Sequence, residues 1–107
     1  RQLSICGGTI ANRGVNPVTH ERVFDAAITP KIVSMIATVG FYEHTGDWIF
    51  SSGIPAKTGV GGGIVGVLPG VMGIAAFSPK LDGSGNSVRA QNAIKYITNK
   101  LGLNLFG

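Results

Sequence analysis

The residues best placed to do chemistry stand together at Lys57-Thr58-Gly59. Lysine and threonine supply a cation and a hydroxyl for a substrate carboxylate, and the glycine leaves the approach unblocked. Val60, just beyond, can aim its backbone N–H at a carbonyl oxygen that becomes negative during acyl transfer. One such donor lowers a barrier by about 2.7–4 kcal/mol. Three residues alone do not separate this reading from an ordinary strand with a surface lysine. Gly59-Val60-Gly61-Gly62-Gly63 carries the motif into a glycine-rich bend. A phosphate-binding loop does not fit there, because it needs a helix start after the glycines. Here the lysine precedes them, and the strand-like Ile64-Val65-Gly66-Val67-Leu68 follows.

A second candidate is Phe41-Tyr42-Glu43-His44, since Tyr, Glu and His all move protons in enzymes. Tyr42 beside Phe41 suits a half-buried ring with its hydroxyl available. Glu43, His44 and the distant His20 read as solvated loop residues. Two separated histidines without a third ligand make no metal site, and no cofactor is called for. Lys-Thr-Gly is also one of three short motifs of serine β-lactamases and penicillin-binding proteins. Their Ser-x-x-Lys nucleophile motif occurs nowhere in the 107 residues. An enzyme of that kind would therefore draw its nucleophile from chain outside this sequence.

Residues 3–13 read as a helix stopped by Gly14, although Gly7 and Gly8 weaken it. Residues 14–25 read as a loop. Thr29-Pro30 reads as a helix start, Thr29 capping and Pro30 at the first turn. Ile32, Ile36 and Val39 follow at helical spacing, with Gly40 to stop it. Residues 44–47 read as a turn, and Trp48-Ile49-Phe50 as a short apolar element. Residues 56–68 and 71–77 read as two strands, the first interrupted by the triple glycine. Pro69-Gly70 joins them as a type II turn suits. After a loop at 78–86, Ser87 caps a last helix whose Ile94, Ile97 and Leu101 form one face and Gly102 its stop. The fold class is α+β, an antiparallel hairpin or sheet covered by helices.

Charged residues make up 13% of the chain, hydrophobic ones 44%, and 17 residues are glycine. Soluble domains carry roughly a quarter charged residues, so other chain or other subunits are expected to cover part of this surface. The chain also opens without Met and in mid-pattern, as a fragment would. The net charge of +4 comes from nine Lys and Arg spread from end to end, which gives no nucleic-acid patch. No apolar run reaches the about 18 residues of a membrane helix, and there is no charged-then-apolar leader; the expected location is the cytoplasm. Cys6 alone makes no disulfide framework and is expected to be buried as a small apolar residue.

The residues then add up to a resemblance. Residues 53–64, Gly-Ile-Pro-Ala-Lys-Thr-Gly-Val-Gly-Gly-Gly-Ile, closely resemble the Leu-Pro-Ala-Lys-Ser-Gly-Val-Gly-Gly-Gly-Ile stretch of serine-dependent glutaminases. Thr9-Ile10-Ala11-Asn12 with residues 14–19, Gly40-Phe41-Tyr42, Met72-Gly73-Ile74, Ser78-Pro79-x-Leu81-Asp82 and Gly85-Asn86-Ser87-Val88 resemble further blocks of that family in order. The likeness spans about Leu3 to Phe106. It implies a serine β-lactamase/transpeptidase-like fold, with residues 1–107 as the C-terminal part of one glutaminase domain that packs against a missing N-terminal portion. It implies hydrolysis of L-glutamine to L-glutamate and ammonia through a serine acyl-enzyme, in a homo-oligomer, and an inactive segment when alone. Residue by residue, Tyr42 matches the tyrosine that lines the glutamine site near the nucleophile, Val60 the residue whose backbone N–H binds the substrate amide oxygen, and Lys57-Thr58-Gly59 the family's Lys-Ser-Gly; the resemblance thus implies substrate binding by all five, with Tyr42 also supporting catalysis. Lys80 and Trp48-Ile49-Phe50 depart from the family pattern. The rivals are a β-lactam-interacting serine hydrolase, from Lys57-Thr58-Gly59 alone, and a non-catalytic interaction domain, from the low charge.

Overall fold

A computed structural model describes all 107 residues. Four helices, α1 (Gln2–Ala11), α2 (Thr29–Val39), α3 (Thr45–Ser52) and α4 (Val88–Lys100), accompany three strands, β1 (Ala56–Thr58), β2 (Gly63–Leu68) and β3 (Met72–Phe77). The strands form one antiparallel sheet in the order β1-β2-β3. The α+β class is as the sequence indicated.

The sheet splits its side chains by parity. Ile64 and Leu68 of β2, with Ile74 of β3, join Ile94, Ala90, Trp48, Phe41 and Ile54 in one core. Each fully buried aliphatic side chain there contributes about 1.5–3 kcal/mol. Val65 points the other way, toward α1. That contact explains the first of the two helix-weakening glycines, while a Cβ on Gly8 would meet the Pro17 ring at 3.1 Å. A Cβ on Gly7 would lie 2.8 Å from the Val65 side chain and 3.3 Å from the Gly73 Cα. With no side chains between them, α1 and β3 touch backbone to backbone.

Several local readings hold. Val71 N–H donates to the Leu68 carbonyl at 3.0 Å and Gly70 takes φ +75°, closing the β2–β3 hairpin. The Ser87 hydroxyl accepts from Ala90 N–H at the start of α4. Pro30 lies in the first turn of α2.

Others are corrected. The glycines at 59–62 do not interrupt one strand; they reverse the chain, so that β1 pairs with β2. Thr29 does not cap α2. A 3₁₀ turn, Ala26–Ile28, precedes it, with the Asp25 carboxylate accepting from Ala27 N–H, and the Thr29 hydroxyl is buried without a partner. Residues 44–47 are no turn: Thr45 to Asp47 open α3, continuous with Trp48. Burial decides it: helical spacing sends Thr45, Trp48 and Ser52 inward together. Trp48 stacks on Phe41 with centroids 4.2 Å apart and donates Nε1–H to the Ile54 carbonyl at 2.9 Å. On α4 the inward row is Ala90, Ile94 and Thr98; Ile97 and Leu101 face outward. Cys6 is exposed, because α1 turns Gly7, Thr9 and Ala11 inward.

Candidate functional site

β1 lies at the sheet edge, and its Thr58 N–H donates to the Gly40 carbonyl at 3.0 Å. This bond ties the end of α2 to the Lys-Thr-Gly strand. Gly40 permits it: a Cβ there would strike the Ala56 and Ile36 carbonyl oxygens. Phe41 is fully buried and anchors the chain at this point. Tyr42 then swings out to 48% exposure with φ +53°. That left-handed conformation costs a side-chain-bearing residue about 1–2 kcal/mol, and such strain persists where surrounding structure enforces it, often at functional sites.

Lys57 is half-buried. Its Nζ donates to the Thr58 carbonyl at 2.6 Å and sits 4.6 Å from the Tyr42 ring centroid, a cation–π contact worth about 0.5–1 kcal/mol. No carboxylate neutralises it: the one ion pair of the chain joins His44 and Asp47. Thr58 lies on the opposite face of β1, across from Ile64. Its side chain is buried, with the hydroxyl unpartnered. A groove of ≈ 350 Å³ runs past Lys57, Gly59 and Gly61, with Leu3 and Phe77 at its sides.

Val60 sits in the four-residue turn that Gly62 N–H closes on the Gly59 carbonyl at 3.0 Å. Its own N–H finds no acceptor in the chain, and its side chain is 70% exposed. The structure thus brings Tyr42 and Lys57 into contact and leaves the Val60 N–H free on the turn that continues from them.

The loop at 82–86, read from the sequence as a loop and matched to the family but given no site role, bridges both pieces. Ser84 Oγ donates to Glu43 at 2.8 Å, and Gly85 lies against Val60. Asp82 shapes the loop by accepting from Ser84 N–H, Asn86 N–H and the Gln91 amide. Burial pushes its pKa up, but these donors outweigh it and hold the carboxyl below its ordinary value. An Asp followed by polar residues at alternate positions among glycines is the signal for such a turn. His44 is raised above its ordinary value, first by its hydrogen bond to Asp47, with burial opposing and Glu43 adding to the rise. His20 stands apart at φ +64°, and no three His, Cys, Asp or Glu side chains gather as metal ligands. No helix is long and apolar enough to cross a membrane.

The sequence pattern of the family described as Glutaminase matches residues 1–106. A glutaminase of Bacteroides fragilis is 74% identical over 106 residues, which cover 99% of this chain and 33% of that protein. Glutaminase 1 of Escherichia coli is 50% identical, covering 98% and 34%. Among solved structures, the probable glutaminase ybaS superposes with a TM-score of 0.96 at 50% identity, covering 98% of this chain and 34% of the other. The Bacillus subtilis glutaminase YbgJ, solved as a covalent complex with 5-oxo-L-norleucine formed from 6-diazo-5-oxo-L-norleucine, superposes at 0.90 with 28% identity, covering 97% and 38%. The fold is therefore that of glutaminases, which are β-lactamase-like. The chain spans about a third of the length of the curated relatives it matches. Over that third, the chain belongs to the glutaminase family.

Proposed function

We propose that the protein containing this chain hydrolyses L-glutamine to L-glutamate and ammonia through a serine acyl-enzyme. The observation that carries this reading is the contact of Tyr42 with the unneutralised Lys57 at the β1 edge, continued by the free Val60 N–H. Lys57 supplies positive charge for a substrate carboxylate. The Val60 N–H supplies a donor for the amide oxygen as it becomes negative. Tyr42 supplies a hydroxyl for proton movement near the nucleophile. The covalent norleucine complex of the Bacillus subtilis relative supports a covalent route.

On this reading, residues 1–107 are the C-terminal part of a single catalytic domain. The serine and its lysine come from a Ser-x-x-Lys motif elsewhere in that domain, and the 107-residue segment alone is inert. Phe50, Phe77 and Phe106 are 89%, 73% and 75% exposed, which suits a surface covered by the rest of the domain or by another subunit. The proposal extends to a cytoplasmic homo-oligomer.

The test is ammonia release from glutamine by the intact protein, set beside hydrolysis of a chromogenic β-lactam. Glutamine turnover without β-lactam turnover is expected. β-lactam hydrolysis without glutamine hydrolysis would overturn the assignment.

A further inference from the structure

Tyr42 holds a left-handed backbone conformation between a buried residue and an exposed turn, so something must fix the peptides on either side of it. Thr45 does so with one atom. Its side chain is nearly buried. Its hydroxyl accepts from the Phe41 N–H at 3.0 Å and donates to the Tyr42 carbonyl at 2.8 Å. Both the N–H entering the Phe41–Tyr42 pair and the carbonyl leaving it are thus bound to the same oxygen. The Phe41 carbonyl between them accepts from His44 N–H at 3.0 Å, with the Asn86 amide at 3.5 Å. The Phe41 ring cannot shift to relieve the strain, because it is stacked on Trp48.

We infer that Thr45 is the positioning residue of Tyr42: its hydroxyl locks the 41–45 turn in the one conformation that lays the phenol against Lys57 at the β1 edge. Without that hydroxyl, Phe41 N–H has no acceptor and the Tyr42 carbonyl loses its donor. Tyr42 can then relax toward ordinary helical or extended φ, which carries its ring off Lys57. Serine can make the same pair of bonds; valine has the shape of threonine and can make neither. The inference rests on the proposed role of Tyr42 in glutamine turnover.

The experiment compares kcat and KM of the intact enzyme for Thr45→Val, Thr45→Ser, Tyr42→Phe and the Thr45→Val/Tyr42→Phe double variant, after thermal melting shows each to be folded. Small displacements of a reacting group cost large factors in rate, so Thr45→Val should lower kcat by about ten-fold or more, leave KM within about two-fold, and be rescued by Thr45→Ser. In the Tyr42→Phe background, Thr45→Val should cost nothing further, because residues that act through one another are not additive. An equal kcat loss in both backgrounds would make Thr45 merely structural and overturn the inference. Wild-type kcat in Thr45→Val beside an impaired Tyr42→Phe would overturn it while leaving Tyr42 its role. Full activity in Tyr42→Phe would remove the role of Tyr42 and that of Thr45 together. If the valine variant does not fold, Thr45→Cys, smaller than valine and a weak hydrogen bonder, carries the same comparison.

Discussion

Replacing Val60 by proline removes one backbone hydrogen, and the structure makes that a clean perturbation. Val60 is the second residue of the turn at 59–62, where proline is favoured in type I and II turns. Its N–H makes no hydrogen bond within the chain, so folding loses none. It is not among the positive-φ residues. The residue before it is Gly59, which has no Cβ to meet the proline ring. The change should therefore be near neutral for folding, or stabilising by up to about 1 kcal/mol through the unfolded chain. Chemistry should respond very differently. If the N–H donates to the oxyanion, its loss costs about 2.7–4 kcal/mol, or about 10²–10³ in kcat. The side chain is 70% exposed and Val60→Ala keeps the N–H, so alanine should stay within a few-fold of wild type. The assay is ammonia release at saturating glutamine by the intact enzyme, read beside thermal melting. A folded Val60→Pro enzyme with near-wild-type kcat would refute the role of this N–H. So would a Val60→Ala enzyme as damaged as the proline variant.

Two more outcomes come from the frame around the site. Gly40 has φ −69° and ψ −31°, where alanine would ordinarily gain about 1 kcal/mol. Its Cβ would instead strike two backbone carbonyls, so Gly40→Ala should destabilise the intact protein by about 1–3 kcal/mol; a raised melting temperature would refute the close approach. The raised pKa of His44 depends first on Asp47, so Asp47→Asn should lower it toward 6.5 in an NMR titration, and an unchanged titration would refute that cause. A raised pKa means the pair favours the folded state below the ordinary histidine pKa, and that preference fades as pH rises through the folded-state value.

What the sequence determined by itself was local. Leu68-Pro69-Gly70-Val71 specified its turn, Ser87 its cap and Pro30 its helix start, because each acts on backbone groups within a few residues. Lys57-Thr58-Gly59 and Tyr42 were legible as candidates because their residue types carry chemistry wherever they stand. Tertiary structure decided the rest. Thr45-Gly46-Asp47 has the composition of a turn, yet Trp48 must stack on Phe41, and that burial makes a helix of it. Ile97 and Leu101 share helical spacing with Ile94, but the sheet accepts only the row through Ala90, Ile94 and Thr98. Strand parity sends the Thr58 hydroxyl to the buried face, away from Lys57. Tyr42 reaches Lys57 only because Gly40 lets β1 approach, Phe41 is pinned in the core, and one threonine hydroxyl holds a strained backbone between them. Contacts across 15 residues of chain, from Tyr42 to Lys57, depend on how separate elements pack, and no window of sequence records that.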